Sequence, residues 1–156
     1  MRKFLYVFGA MALGLLVLLV SGIGFLMSKG NGLDAESKAY VDAAVPAITA
    51  HWDRTALLDR AAAELRSAST PDQIANLFDN FSRLGPLVRY EGATGHANMT
   101  YFTGTGGQVT AIYVAKAVYQ NGEATLRLNL RKRDGAWRIV GFHVDGRPGV
   151  RTSQSM

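Results

Sequence analysis

Three histidines, His51, His96 and His143, are the side chains of this sequence best suited to moving a proton near neutral pH. A metal centre needs several such donors at ligand spacing, and here they are scattered, with no His-x₃-His pattern and no cysteine anywhere. The lack of cysteine also excludes disulfides and lipoprotein attachment. His51-Trp52-Asp53 suggests a histidine–carboxylate pair, yet neighbouring residues on a helix diverge by about 100°, so His51 and Asp53 face apart. Thr103-Gly104-Thr105-Gly106-Gly107 has the glycines of a phosphate-cradling loop, but no lysine follows in the P-loop position and a strand is expected after it. Ser82 lies in no nucleophile-elbow pattern. No catalytic, cofactor-binding or metal-binding residue is assigned, and the chain is read as a non-enzyme without a cofactor.

The elements that must position these residues begin with a membrane segment. Arg2 and Lys3 precede 24 uncharged residues, Phe4 to Met27, more than the roughly 20 that cross a bilayer core. A cleaved secretory signal would have a shorter apolar region and a small-x-small site, which Phe25 and Leu26 interrupt, so residues 4–27 are expected to stay as a single transmembrane helix. With positive charge ahead of the span, residues 1–3 are expected in the cytoplasm and the domain beyond the linker 28–33 outside it, on the periplasmic side of a cell inner membrane. Without Arg2, Lys3 and Lys29 the chain retains 14 bases against 12 acids, a net of +2 that gives no footing for nucleic-acid binding.

One α+β domain is expected over 34–146, with a disordered tail over 147–156. Asp34 reads as an N-cap, Pro46 as a break, and Ile48, Trp52, Leu57, Leu58, Ala61, Ala62 and Leu65 as a further helical stripe. Thr70-Pro71-Asp72 opens another helix, which Gly85-Pro86 stops. Beyond Pro86 the apolar period falls to two, and Asn121-Gly122 and Asp134-Gly135 mark hairpin turns. Two-residue loops there place Tyr119 opposite Ala124, Ala117 opposite Leu126, Leu130 opposite Ile139 and Lys132 opposite Trp137. Leu126 falls opposite His143 unless a bulge intervenes near Gly141. The expected core face carries Tyr113, Ala115, Ala117, Tyr119, Leu126, Leu128, Leu130, Trp137, Ile139 and His143.

The closing strands, ATLRLNLRKRDGAWRIVGFHV from Ala124 to Val144, centre on Asp134-Gly135-x-Trp137-x-Ile139. With helices ahead of them, this order resembles the nuclear transport factor 2-like (cystatin-like) superfamily over residues 34–144. The resemblance implies helices packed on a curved antiparallel sheet, a cone-shaped pocket between them, and dimerisation through the sheet. Enzymes of that superfamily set an Asp, or an Asp with a His, on the pocket wall. The expected core face here offers no carboxylate, which argues against that chemistry.

Two functions compete. Trp52, Tyr113, Tyr119 and His143 would line a pocket for a small apolar ligand, with Asp53 or Asp59 approaching from a helix. On the opposite face Ile112, Val114, Lys116, Arg127, Arg131, Arg138, Val140 and Phe142 interleave apolar and basic side chains, as at an interface. Arg131 opposite Arg138 needs an acid or a partner to neutralise it. The missing carboxylate favours the second reading: a membrane-anchored interaction or assembly subunit whose partners are the lipid bilayer, through residues 4–27, and a membrane protein complex or a second copy, through the sheet.

Overall fold

A computed structural model describes residues 32–148 apart from Thr105. The apolar run 4–27 and residues 149–156 lie outside the described residues, and among the described ones no helix is long and apolar enough to cross a membrane. Helix α1 covers 32–49 and continues through Pro46. Proline costs a helix interior about 3 kcal/mol, but Val41, Ala44, Val45 and Ile48 are fully buried along one stripe, and their packing outweighs one missing hydrogen bond. Asp34 is already inside this helix rather than capping it.

The expected stripe from Ile48 to Leu65 is split into short pieces. Trp52 adopts a left-handed conformation, φ 53°, while Asp53 N donates to Ile48 O at 2.8 Å, closing α1 with the six-to-one bond of a Schellman turn. The Asp53 side chain then accepts from Thr55 N and Ala56 N, starting α2, Arg54–Arg60. Ala61 leaves the helix to bridge Ile139, and α3, Ala63–Ala68, follows. Helix α4, Pro71–Phe81, has the expected cap: Thr70 Oγ1 accepts from Gln73 N and Gln73 Oε1 accepts from Thr70 N. A 3₁₀ turn, Ser82–Leu84, ends at Gly85 with φ 79°.

Four strands follow, β1 (Leu87–Phe102), β2 (Gly106–Tyr119), β3 (Gly122–Arg133) and β4 (Ala136–Pro148), in one antiparallel sheet of order β1-β2-β3-β4. Arg147 and Pro148 are therefore strand rather than tail. The β3–β4 hairpin has the expected register, with Asp134 and Gly135 at φ 52° and 78° and Leu130 paired to Ile139. The β2–β3 hairpin turns one residue earlier than expected, at Gln120-Asn121, so Ala117 meets Ala124 and Ala115 meets Leu126. Bonds from outside the hairpin set this turn: Gln120 N donates to Pro86 O, Asn121 N to Leu84 O and Asn121 Nδ2 to Arg83 O. A displacement of two in pairing leaves every side chain on its expected face.

In β4 the ladder shifts between Asn129 and Leu130, leaving Val140 as the extra residue of a bulge. Beyond it the alternation inverts. Leu126 faces Val144, which is buried, and Arg127 faces His143, which is exposed. The core lies between α1, α4 and one sheet face, where Leu126, Leu128, Leu130 and Ile139 are almost fully buried, each contributing about 1.5–3 kcal/mol.

Candidate functional site

At the centre of the helix–sheet interface Tyr113 is 1% exposed, and its hydroxyl donates to Asp34 O at 3.0 Å while sharing a 2.9 Å bond with Ser37 Oγ. These bonds tie the start of α1 to β2. Tyr113→Phe should leave the buried Ser37 hydroxyl without this partner and lower stability by about 1–2 kcal/mol, readable as a reduced urea midpoint with unchanged slope. A midpoint equal to that of the native chain would show that the hydroxyl contributes nothing net.

The residues expected to line a pocket do not converge on an empty space. Trp52 stacks on Phe81 at 5.6 Å between ring centroids, meets Tyr119 at 5.2 Å and sets its edge against Phe78 at 6.1 Å. Trp52 and Tyr119 are 7% and 3% exposed. Burial pushes the Tyr119 hydroxyl above its ordinary pKa, so it stays protonated and is no base near neutral pH. His143, expected beside them, lies on the opposite face because of the bulge, with Nε2 3.3 Å from Asp145 Oδ1 in the open. Of the carboxylates expected to approach, Asp53 caps α2, and Asp59 is exposed, offering its backbone carbonyl to Arg138.

On the outer face the pairing aligns Ile112 with Asn129, Val114 with Arg127 and Lys116 with Thr125 across β2 and β3. Ile112 is 48% exposed, and Lys116 and Arg127 are exposed beside it. Phe142, assigned to this face from the uninterrupted alternation, instead pairs with Leu128 and stacks on Phe78 at 6.5 Å, among the helices. Val140 is the half-buried bulge residue.

Arg131 and Arg138 are directly paired, as expected, and both are met by groups of this chain, one of them an acid. Glu64 Oε1 lies 2.6 Å from Arg131 Nη1, and the Gln108 side-chain carbonyl, with its amide in the accepting orientation, takes Arg131 Nε at 2.8 Å. Arg138 Nη1 donates to Asp59 O at 2.8 Å, and Ala62 N to Ile139 O at 2.8 Å. The α2–α3 segment thus covers the free edge of β4 and engages both arginines, while Arg127 and Lys116 stand exposed on the open face. Beside this seam Arg66, Arg131, Arg133 and Arg138, with Glu64, line a cavity of about 270 Å³.

The opposite edge is protected differently. Asp34 Oδ1 accepts Ala97 N at 2.6 Å, and Asp42 takes the Tyr90 hydroxyl at 2.8 Å and Lys38 Nζ at 2.6 Å. Burial raises the Asp42 pKa, but the bonds from Lys38 and Tyr90 outweigh it and hold the carboxyl below its usual range. Burial and the same carboxylate push the Tyr90 hydroxyl up.

Sequence reasoning did not anticipate the exposed apolar tip of the β1–β2 hairpin. Met99, Tyr101 and Phe102 are 43%, 77% and 53% exposed at its end. A signal for it was present: from Gly92 to Ala115 there is no Asp, Glu, Lys or Arg. Among the described residues no group of three His, Cys, Asp or Glu side chains could hold a metal ion. The chain matches no family model, no curated protein and no solved structure.

Proposed function

We propose that this chain is a non-enzymatic, membrane-tethered docking subunit of the nuclear transport factor 2-like kind, held by residues 4–27 in a cell inner membrane with its α+β domain on the periplasmic side. One contrast carries the reading. The helix–sheet interface is filled by Trp52, Tyr113 and Tyr119, whereas the outer face keeps Ile112, at 48% exposure, on the face that carries the exposed bases Arg127 and Lys116. An apolar side chain left in water beside Arg127 and Lys116 has the make-up of an interface centre and its rim. Arg131, paired with Glu64, and Arg138, bonded to the Asp59 carbonyl, border that surface. A ligand in the helix–sheet pocket would have to displace the Trp52 cluster, so the alternative of a small-molecule binder has less to stand on.

The partner is a membrane protein complex or a second copy of the chain. Ile112→Asp combined with Arg127→Glu should weaken its recovery with the detergent-solubilised chain by about tenfold or more. Both side chains lie on the exposed face, so stability should move by no more than about 1 kcal/mol. Undiminished recovery of the partner, or of the dimer, by a folded double variant would rule out this face.

A further inference from the structure

The end of the sheet that carries the β1–β2 turn has a composition unlike the rest of the surface. Asp34 accepts Ala97 N, and the last five residue pairs of the hairpin, Asn98↔Thr110 to Phe102↔Gly106, continue past that bond. β3 still flanks the first two, where Thr110 meets Arg131 and Val109 meets Lys132, and the last three extend alone for roughly 10 Å at about 3.4 Å per residue. These five pairs lie within the run that contains no Asp, Glu, Lys or Arg, and they display Met99, Tyr101 and Phe102. A projecting tip that exposes two aromatic rings, with an exposed methionine at its base, is costly in water. It suits the boundary between lipid headgroups and acyl chains, where aromatic rings are enriched.

Three further observations select the bilayer as its occupant. Helix α1 runs from this end of the sheet, where Asp34 meets Ala97 and Tyr113, to the other, where Ala50 O accepts Leu87 N, so the described chain begins at the hairpin end. Only residues 28–31 lie between the apolar run and α1, a reach of at most about 18 Å when fully extended. Arg133, exposed and next to Lys132, which pairs with Val109, lies at this same end. Guanidinium groups bind phosphate through paired hydrogen bonds.

We infer that the β1–β2 tip dips into the surface of the membrane, with Met99, Tyr101 and Phe102 in its interfacial layer and the exposed Arg133 against anionic headgroups. This inference rests on the membrane tether of the proposed function and adds a second point of contact, which fixes how the domain stands on the bilayer. With the hairpin end toward the membrane, the outer sheet face is held upright and open to a partner.

The chain has no cysteine, so a single thiol can be placed where it is informative. Thr103, exposed in the tip turn, and Glu123, exposed near the other end of the sheet, are each replaced by cysteine in the full chain and labelled with an environment-sensitive dye. The chains are reconstituted into vesicles of phosphatidylcholine, with or without phosphatidylglycerol, containing nitroxide-labelled lipid. Fluorescence should be lost at Thr103→Cys, more with the anionic lipid, and retained at Glu123→Cys. Adding Tyr101→Ser and Phe102→Ser, both at exposed positions, should abolish the loss at Thr103→Cys. An integral chain whose Thr103 probe stays bright would overturn the tip contact while leaving the tether intact. Disulfide formation between unlabelled Thr103→Cys chains, with the dye-labelled chain unquenched, would assign the tip to a dimer instead. Release of the chain from native membranes by alkaline carbonate would overturn the tether and the inference with it.

Discussion

Trp52→Ala is expected to destabilise the domain by about 3–5 kcal/mol, seen as a fall in Tm of roughly 10–20 °C. The ring fills the space between Phe78, Phe81 and Tyr119, and its indole Nε1 has no hydrogen-bond partner among the described residues, so packing alone holds it there. Trp52 also has φ 53°, a conformation that disfavours any side chain with a β-carbon. Trp52→Gly should therefore be less damaging than Trp52→Ala by about 1 kcal/mol, because glycine relieves the backbone at this helix end while losing the same ring. Equal midpoints for the two variants would mean that the left-handed backbone has no influence on stability.

Gly95→Ala should have an effect nearly as large for the opposite reason. Gly95 pairs with Tyr113, and a β-carbon there would overlap the Ile112 carbonyl oxygen and lie 2.8 Å from the Tyr113 Cα. Backbone atoms cannot rotate away, so β1 must move off β2, at a cost of about 2–3 kcal/mol or more. Amide exchange should accelerate across residues 94–98 and 110–114 ahead of the rest of the sheet. Gly107→Ala, where the nearest atoms belong to the exposed Tyr101 ring, should shift stability by no more than about 0.5 kcal/mol. A Gly95→Ala chain with native exchange rates would show that the two strands can separate there at little cost.

The parts of the fold that were legible in the sequence are those whose cause is local. Thr70-Pro71 with Gln73 carries its own cap, and Asp134-Gly135 carries its own turn, so α4 and the β3–β4 register follow from a few neighbouring residues. The core face was legible because two-residue periodicity survives a pairing displacement of two. Val140 was not, since alternation gives no sign of which residue is extra, and one unplaced residue moved His143 out of the expected pocket and Phe142 into the helix layer. The β2–β3 turn was misplaced because carbonyls of Arg83, Leu84 and Pro86 select it, and these lie more than thirty residues away in sequence.

The candidate surface was legible only in part for a related reason. Ile112, Val114, Lys116 and Arg127 share the outer face as the period required, but the acid that answers Arg131 sits on α3, and nothing in the strand sequence points to Glu64. Arginine in a strand advertises a need for a counter-charge without saying whether that charge comes from the same chain. The uncharged stretch from Gly92 to Ala115 could have been read as an exposed apolar projection only once its β1 half was known to lie on an edge strand.

Asp34 has a mechanical consequence. Its carbonyl oxygen is bound by Tyr113 of β2, the second strand of the sheet, and its carboxylate by Ala97 of the edge strand beside it. Tension along the chain ahead of residue 34 would be divided at that residue between two strands. The sheet would then resist as a shear joint, many bonds strained together, where a chain attached to an edge strand alone would peel open one rung at a time.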